Sequence, residues 1–193
     1  MESVLPLSDV RLPGRHNLEN IAAAILMARD LGTSDAAIAS VVATFGGVVH
    51  RLEYVCQSAG VTYINNSMCT NVDAFARSLD AVAGPKVVIA GGVFKGANLD
   101  PIATAVREND VRSLVLIGRS APDIESAVRT AGFTHVKIAD RLSDAVELAS
   151  MKAEPGDTVM LAPGCASFDM FRDFEDRGDQ FKAIVRELCA KKQ

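Results

Sequence analysis

Three stretches of this sequence collect side chains suited to holding anions, amides and hydroxyls. They are Asn65-Asn66-Ser67-Met68-Cys69-Thr70-Asn71, Gly91-Gly92-Val93-Phe94-Lys95-Gly96 and Pro163-Gly164-Cys165-Ala166-Ser167-Phe168-Asp169-Met170-Phe171. Each follows a short apolar run ending at Ile64, Ala90 or Ala162. In open parallel α/β sheets, ligands bind at the carboxyl ends of the strands. The three loops therefore fall on one edge and together make an anion-recognising cleft. Taken singly, each is also ordinary turn chemistry, because Gly, Ser and Asn serve turns. Their shared edge is what points to function.

Other chemistries are disfavoured. GxxxxGK[ST] and GxGxxG are absent from these 193 residues, so ATP is not held here by a P-loop. GxSxG is absent too, which argues against a hydrolase elbow. The histidines at 16, 50 and 135 are scattered. The cysteines at 56, 69, 165 and 189 form no CxxC pair, which suggests neither a zinc site nor a disulfide framework. Free thiols in a reducing cytosol are expected, with Cys69 and Cys165 buried and inert.

The elements that must position the loops are legible as alternating patterns. Asn17 can cap a helix running to about Leu31, and Ser34 can cap a second with Ile38, Val41, Val42 and Phe45 as its stripe. A boundary is expected near Gly46-Gly47. Runs Leu52–Cys56 and Val61–Asn65 suggest a hairpin across Gln57–Gly60. A helix carrying Val72, Phe75, Leu79 and Val82 follows. Strands Val87–Ala90, Leu114–Ile117, Val136–Ala139 and Thr158–Ala162 then alternate with helices Pro101–Arg107, Asp123–Thr130 and Ser143–Met151. A last helix is expected over Asp179–Ala190. This pattern implies an α/β fold, Rossmann-like, with a mostly parallel sheet and helices on both faces, preceded by a short helical segment.

Composition sets outer limits. Apolar residues make up 49% and charged residues 23%, as in an ordinary globular chain, and the net charge is −4. Negative charge argues against a nucleic-acid or anionic-membrane partner. No apolar run approaches the ~20 residues of a bilayer-spanning helix, and Met-Glu-Ser-Val has no signal-peptide character. A cytoplasmic location is expected.

Six ordered motifs carry a family resemblance. Gly14-Arg15-His16-Asn17-Leu18-Glu19-Asn20 looks like GxHNxxN, and His50-Arg51-Leu52-Glu53 looks like HRxE. The loop reaching Asn71 resembles NDSKATN, and Ala90 to Gly96 resembles AGGxxKG. Pro163 to Phe171 resembles PxCASxDxF, and Glu175 to Phe181 resembles FExRGDxF. Together they resemble the Mur ligase family, in its alanine–glutamate branch, over residues 12 to 186. The resemblance implies that residues 1–46 are the last helices of a central ATP-binding domain and 47–193 an amino-acid-receiving C-terminal domain.

It also implies an ATP-dependent amide ligase of peptidoglycan precursor synthesis. Such a ligase adds glutamate to UDP-N-acetylmuramoyl-alanine through an acyl phosphate, with ATP and Mg2+, and its P-loop lies in the rest of the ligase chain. These residues alone would then be inactive. By motif, Asn17 and Asn20 would meet the adenine, His50 and Arg51 the nucleotide, and Asn66 a ribose hydroxyl. Lys95 would hold a carboxylate of glutamate, and Thr70, Ser167, Phe168 and Phe171 would complete that pocket.

Each role has a plainer alternative: Asn17 as a cap, Arg51 and Lys95 as solvated cations, Phe171 as core. Asn66 and Met68 depart from the Asp and Lys of NDSKATN. Either the amino acid differs or is held differently, or the two charges left together as a compensated swap. A folylpolyglutamate-type or other Mur-type ligase, and a non-catalytic binding module of the same fold, are the remaining readings.

Overall fold

The computed structural model describes residues 4–12, 14–96 and 98–191. It divides into two compact units, Met1–Val48 and Val49–Gln193.

The first unit holds a 3-10 turn, Leu7–Asp9, and two helices, α1 (Arg15–Asp30) and α2 (Asp35–Thr44). Ser34 caps α2 by accepting from the Ala37 N–H. Asn17 does not cap α1, contrary to expectation. Gly14 is the cap residue, with φ 91°, a value in the left-handed region that Gly adopts without a Cβ penalty. The helix therefore starts two residues before Asn17, which sits buried in its first turn. Asp35 takes a forked pair of bonds from Arg29, at 2.7 Å each, joining the two helices. Among the described residues, Ile38 is the only buried apolar side chain of α1 and α2, while Leu26, Met27, Leu31 and Val41 stand exposed.

The second unit is built on a six-stranded sheet in the order β1-β2-β6-β3-β4-β5. Its strands are β1 (Glu53–Ser58), β2 (Val61–Asn65), β3 (Lys86–Gly91), β4 (Val111–Ile117), β5 (Val136–Ile138) and β6 (Thr158–Leu161). The hairpin strand β1 is antiparallel to β2, and all other pairings are parallel. The helices are α3 (Val72–Ala81), α4 (Asp100–Glu108), α5 (Ala121–Thr130), α6 (Leu142–Lys152) and α7 (Phe174–Lys191). β3 and β6 are buried along their whole length, as strands covered on both faces must be.

Two cores result. Phe75 and Leu79 of α3, Ile102 and Val106 of α4 and Ile124 of α5 pack on Val88, Leu114, Leu116 and Met160. On the other face Val146 of α6 and Phe181 and Val185 of α7 pack on Val87, Ile89, Val115 and Val159. The mostly parallel, doubly covered α/β sheet agrees with the sequence.

Two expectations are corrected. Helix α7 begins at Phe174, five residues early, because the Asp173 carboxylate accepts from the Asp176 N–H and opens the helix there. Cys56 and Cys189 are joined as a disulfide across 133 residues of sequence. Edge strand β1 lies against α7, a proximity that sequence spacing does not reveal. Cys69 and Cys165 are free and buried, as expected. Burial pushes their thiols up, to about 11 and about 12, so neither is a thiolate at neutral pH. Among the described residues no helix is long and apolar enough to cross a membrane.

Candidate functional site

The carboxyl ends of β2, β6, β3 and β4 are neighbours along one rim, and the three expected loops all leave from it. Arg51 reaches this rim from a turn before β1. His50 and Leu52, on either side of it, have φ of 64° and 47°. Left-handed backbone at non-glycine residues costs on the order of 1 kcal/mol each and persists only where the surroundings enforce it.

Here three hydrogen bonds enforce it. The Glu53 carboxylate accepts from the His50 N–H at 2.9 Å, the Asn66 side-chain oxygen accepts from the Leu52 N–H at 3.0 Å, and the His50 carbonyl accepts from the Met68 N–H at 3.0 Å. Arg51 is left exposed at the tip.

Asn66 turns its side chain into the fold. It is buried, and its amide nitrogen donates to Ser78 Oγ at 2.6 Å while its oxygen holds Leu52. Ser78 Oγ donates onward to the Ala74 carbonyl. An amide both accepts and donates, so it bridges the Arg51 turn to α3 with no charge stranded. His50 likewise faces inward. Its Nδ1 lies 3.0 Å from the Asn65 amide nitrogen, and the Phe174 ring meets its edge at 6.1 Å. Asn65 also donates to Glu53 at 2.9 Å and accepts from the Ser67 N–H.

Beneath the rim lies Arg177, fully buried in the first turns of α7. Its guanidinium donates to Ser67 Oγ (2.9 Å), the Ser67 carbonyl (2.8 Å) and the Cys165 carbonyl (3.1 Å). Ser67 Oγ in turn donates to the Phe174 carbonyl at 2.7 Å. One planar cation thus ties the loop after β2 to the loop after β6, using the fixed fork that a lysine lacks. Burial pulls its pKa down to about 10, which leaves it charged at neutral pH. The next residue must be Gly178, because a Cβ there would overlap the His50 ring.

The loops after β3 and β4 are stitched to the same frame. Val93 and Ala166 exchange backbone bonds at 2.8 and 3.0 Å. Ser120 accepts from the Phe94 N–H through its hydroxyl at 2.9 Å and donates its own N–H to the Gly92 carbonyl. Asp169 accepts from the Arg119 N–H at 2.7 Å. Its other carboxylate oxygen is buried and has no partner among the described residues.

Against this frame a few side chains stand unengaged. Arg51, Thr70, Arg119 and Ser167 have no side-chain hydrogen bond or ion pair among the described residues. Lys95 is exposed, with only the Phe168 ring beneath it, 5.5 Å from its Nζ. Phe168 is itself 68% exposed. Phe171 instead packs on the α6–α7 core. The structure thus brings Arg51, Asn66, Thr70, Lys95, Ser167 and Phe168 to one rim. Asn17 and Asn20 belong to the first unit, and Asn20 is exposed one turn beyond Asn17. The His16 side chain lies outside the described residues.

Sequence reasoning assigned no role to Arg177, Ser120, Asp169 or Arg119. The signal for Arg177 was an arginine in an otherwise good helix followed at once by a glycine.

The family described as Mur ligase, glutamate ligase domain matches residues 50–165, more than half of the chain. The chain belongs to this family. That match begins at His50, at the start of the Arg51 turn, and ends at Cys165, whose carbonyl Arg177 holds. Curated Mur ligase relatives match nearly the whole chain. The UDP-N-acetylmuramoylalanine–D-glutamate ligase of Pelotomaculum thermopropionicum is 45% identical over 97% of it, and those of Gloeobacter violaceus and Bacillus subtilis are 46% and 39% identical. The chain spans only 41%, 43% and 41% of those proteins.

Solved structures share the Mur ligase fold at low identity. The UDP-N-acetylmuramate–alanine ligase of Thermotoga maritima aligns with TM-score 0.71 and 16% identity, over 93% of this chain and 40% of that one. A folylpolyglutamate synthase from Mycobacterium tuberculosis complexed with ADP aligns with TM-score 0.70 and 17% identity, over 91% and 41%.

Proposed function

We propose that this chain is the amino-acid-receiving part of an ATP-dependent ligase that joins glutamate to UDP-N-acetylmuramoyl-alanine. The observation that carries this reading is the rim itself. Exposed cations and unengaged hydroxyls on separate loops surround a buried frame of paired amides, carboxylates and one arginine. A negatively charged ligand supplies the missing partners.

The substrate follows from the relatives, whose names specify D-glutamate. Lys95 holds one glutamate carboxylate, with Thr70 and Ser167 as hydroxyl partners and Phe168 supporting the Lys95 head. Arg51 meets phosphate or ribose oxygens of ATP, its turn shaped by His50, Glu53 and Asn66. Asn17 and Asn20 serve the adenine. In the reaction, a phosphoryl group passes from ATP to the alanyl carboxylate and ADP leaves. The glutamate nitrogen then attacks the acyl carbon. The new C–N bond replaces the bond to phosphate, which departs as the amine gives up its proton. What this chain contributes is position and charge.

Magnesium belongs to this chemistry, but no group of three or more His, Cys, Asp or Glu able to hold a metal occurs among the described residues. The reading therefore assigns its ligands, and the P-loop, to the remaining three-fifths of the relatives' length. The exposed apolar side chains of α1 and α2 support the same division. A helix pair with one buried apolar residue does not make its own core, which suits the end of a larger ATP-binding domain. Such a ligase works in the cytoplasm.

Calorimetric titration of D-glutamate into the chain tests the reading. Binding is expected, and Lys95→Ala is expected to abolish it. Glutamate binding indifferent to Lys95, or no glutamate binding, overturns the assignment of this rim.

A further inference from the structure

An acidic amino acid brings two carboxylates to the site, and the motifs supply one cation for them. Met68 stands where the resembling loop has lysine, so the loop after β2 adds no positive charge. Arg51 approaches from the β1–β2 end, with β6 between that end and β3. A second cation has to come from elsewhere on the rim.

The loop after β4 provides it. Strands β3 and β4 are direct neighbours, about 4.8 Å apart as paired strands are. Lys95 follows the first and Arg119 the second. The backbone at Arg119 is fixed from both sides. Asp169 holds its N–H at 2.7 Å, and the Ser120 N–H and hydroxyl hold Gly92 and Phe94.

Gly118, with φ 78°, lies so close to Gly92 that a Cβ would come within 2.8 Å of the Gly92 Cα. The loop after β4 is thereby pinned between the Lys95 loop and the Ser167 loop. The side chain that emerges from this pinned turn is Arg119. It is exposed, and its guanidinium has no hydrogen bond or ion pair among the described residues. A planar, permanent cation on a fixed backbone suits bidentate capture of a carboxylate.

We propose that Arg119 is the specificity-determining residue for the side-chain carboxylate of the incoming glutamate, while Lys95 holds the α-carboxylate. This rests on the glutamate-ligase reading above. Two cations from adjacent loops grip the two acidic ends and leave the amine unbound for attack. The loss of the loop lysine at Met68 then leaves the dicarboxylate with two counter-charges.

The test compares D-glutamate with D-glutamine, its uncharged isostere, by calorimetric titration into the chain and its Arg119→Met, Arg119→Lys and Lys95→Met variants. The wild-type chain is expected to prefer glutamate. Arg119→Met is expected to weaken glutamate about tenfold, the loss of one charge-assisted contact, and to leave glutamine unchanged. Arg119→Lys restores part of the preference, and Lys95→Met weakens both ligands.

Thermal unfolding of Arg119→Met should match wild type, since its guanidinium has no hydrogen bond or ion pair among the described residues. If glutamate binds through Lys95 but Arg119→Met keeps the full preference over glutamine, this proposal falls and the ligase reading stands. If the wild-type chain binds neither ligand, the ligase reading falls and takes the proposal with it.

Discussion

At the amino ends of β3, β4 and β6, the two strand cations Lys86 and Arg112 are both engaged by the fold. Arg112 forks onto Asp157 at 2.8 and 3.3 Å and reaches Glu154 at 3.1 Å, while buried Lys86 donates to the Asn109 carbonyl at 2.6 Å. At the opposite rim, Arg51 before β1, Lys95 after β3 and Arg119 after β4 are exposed without carboxylate partners among the described residues. The two rims share strands and one solvent. They differ in what the local charges serve. Paired charges close the fold at one rim, and at the other the pairing is confined to the frame beneath the working side chains. Unpaired cations held over a rigid polar frame are what an anionic ligand needs, because the frame bears the cost of order in advance.

The sharpest way to break this contrast is to attack the frame. Arg177→Met removes three hydrogen bonds and leaves Ser67 and Cys165 groups unsatisfied in the interior. It should cost about 3 kcal/mol or more in urea unfolding and abolish glutamate binding. Retained binding in a folded variant would show that the loops do not depend on this tie. Gly178→Ala drives a methyl into the His50 ring and should cost about 2 kcal/mol, displacing the Arg51 turn and weakening ATP more than glutamate.

Acidification should act on the same turn. Burial pushes the Glu53 carboxyl up, but bonds from the His50 N–H and the Asn65 amide, with Lys182 alongside, outweigh it and hold it below its ordinary 4.5. A depressed folded value means that its stabilising contribution is complete above about pH 4.5 and is lost as pH falls through the folded value. Stability measured from pH 6 to 3 should decline more gently in Glu53→Gln than in wild type. Equal slopes would remove Glu53 from the account.

Arg112→Met probes the opposite rim. It should lower the Tm by several degrees and leave glutamate affinity unchanged. A change in affinity would mean that the two rims are not separable. The smallest effect is expected at the thiols. Cys69 and Cys165, buried and protonated, should resist alkylation in the native chain at pH 8 and react only on unfolding.

Much of this was legible in the residues. Alternation of β-branched runs with amphipathic helices is a local signal, and it places every strand to within three residues, the largest difference being the start of β4 at Val111 and not Leu114. The position of Lys95, Thr70 and Ser167 on one edge followed from the rule for parallel sheets. The misreadings share a cause. Asn17 is of a type that suits a cap, yet Gly14 has the backbone freedom that decides where α1 begins. The early start of α7 depends on Asp173, a residue equally at home in a loop.

The sequence by itself determined the alternation, the burial of both sheet faces and the order of the motifs, since these depend on periodicity and on residue type. Only the tertiary structure decided which polar groups are already satisfied. Asn66 and His50 brace the Arg51 turn, Cys56 meets Cys189 and Arg177 is the buried tie, while the Arg119 guanidinium has no hydrogen bond or ion pair among the described residues. A hydrogen bond needs its partner within about 3 Å and suitably oriented. Such meetings join residues 110 positions apart at Arg177 and Ser67 and 129 apart at Lys182 and Glu53, and no reading along the chain can measure that distance.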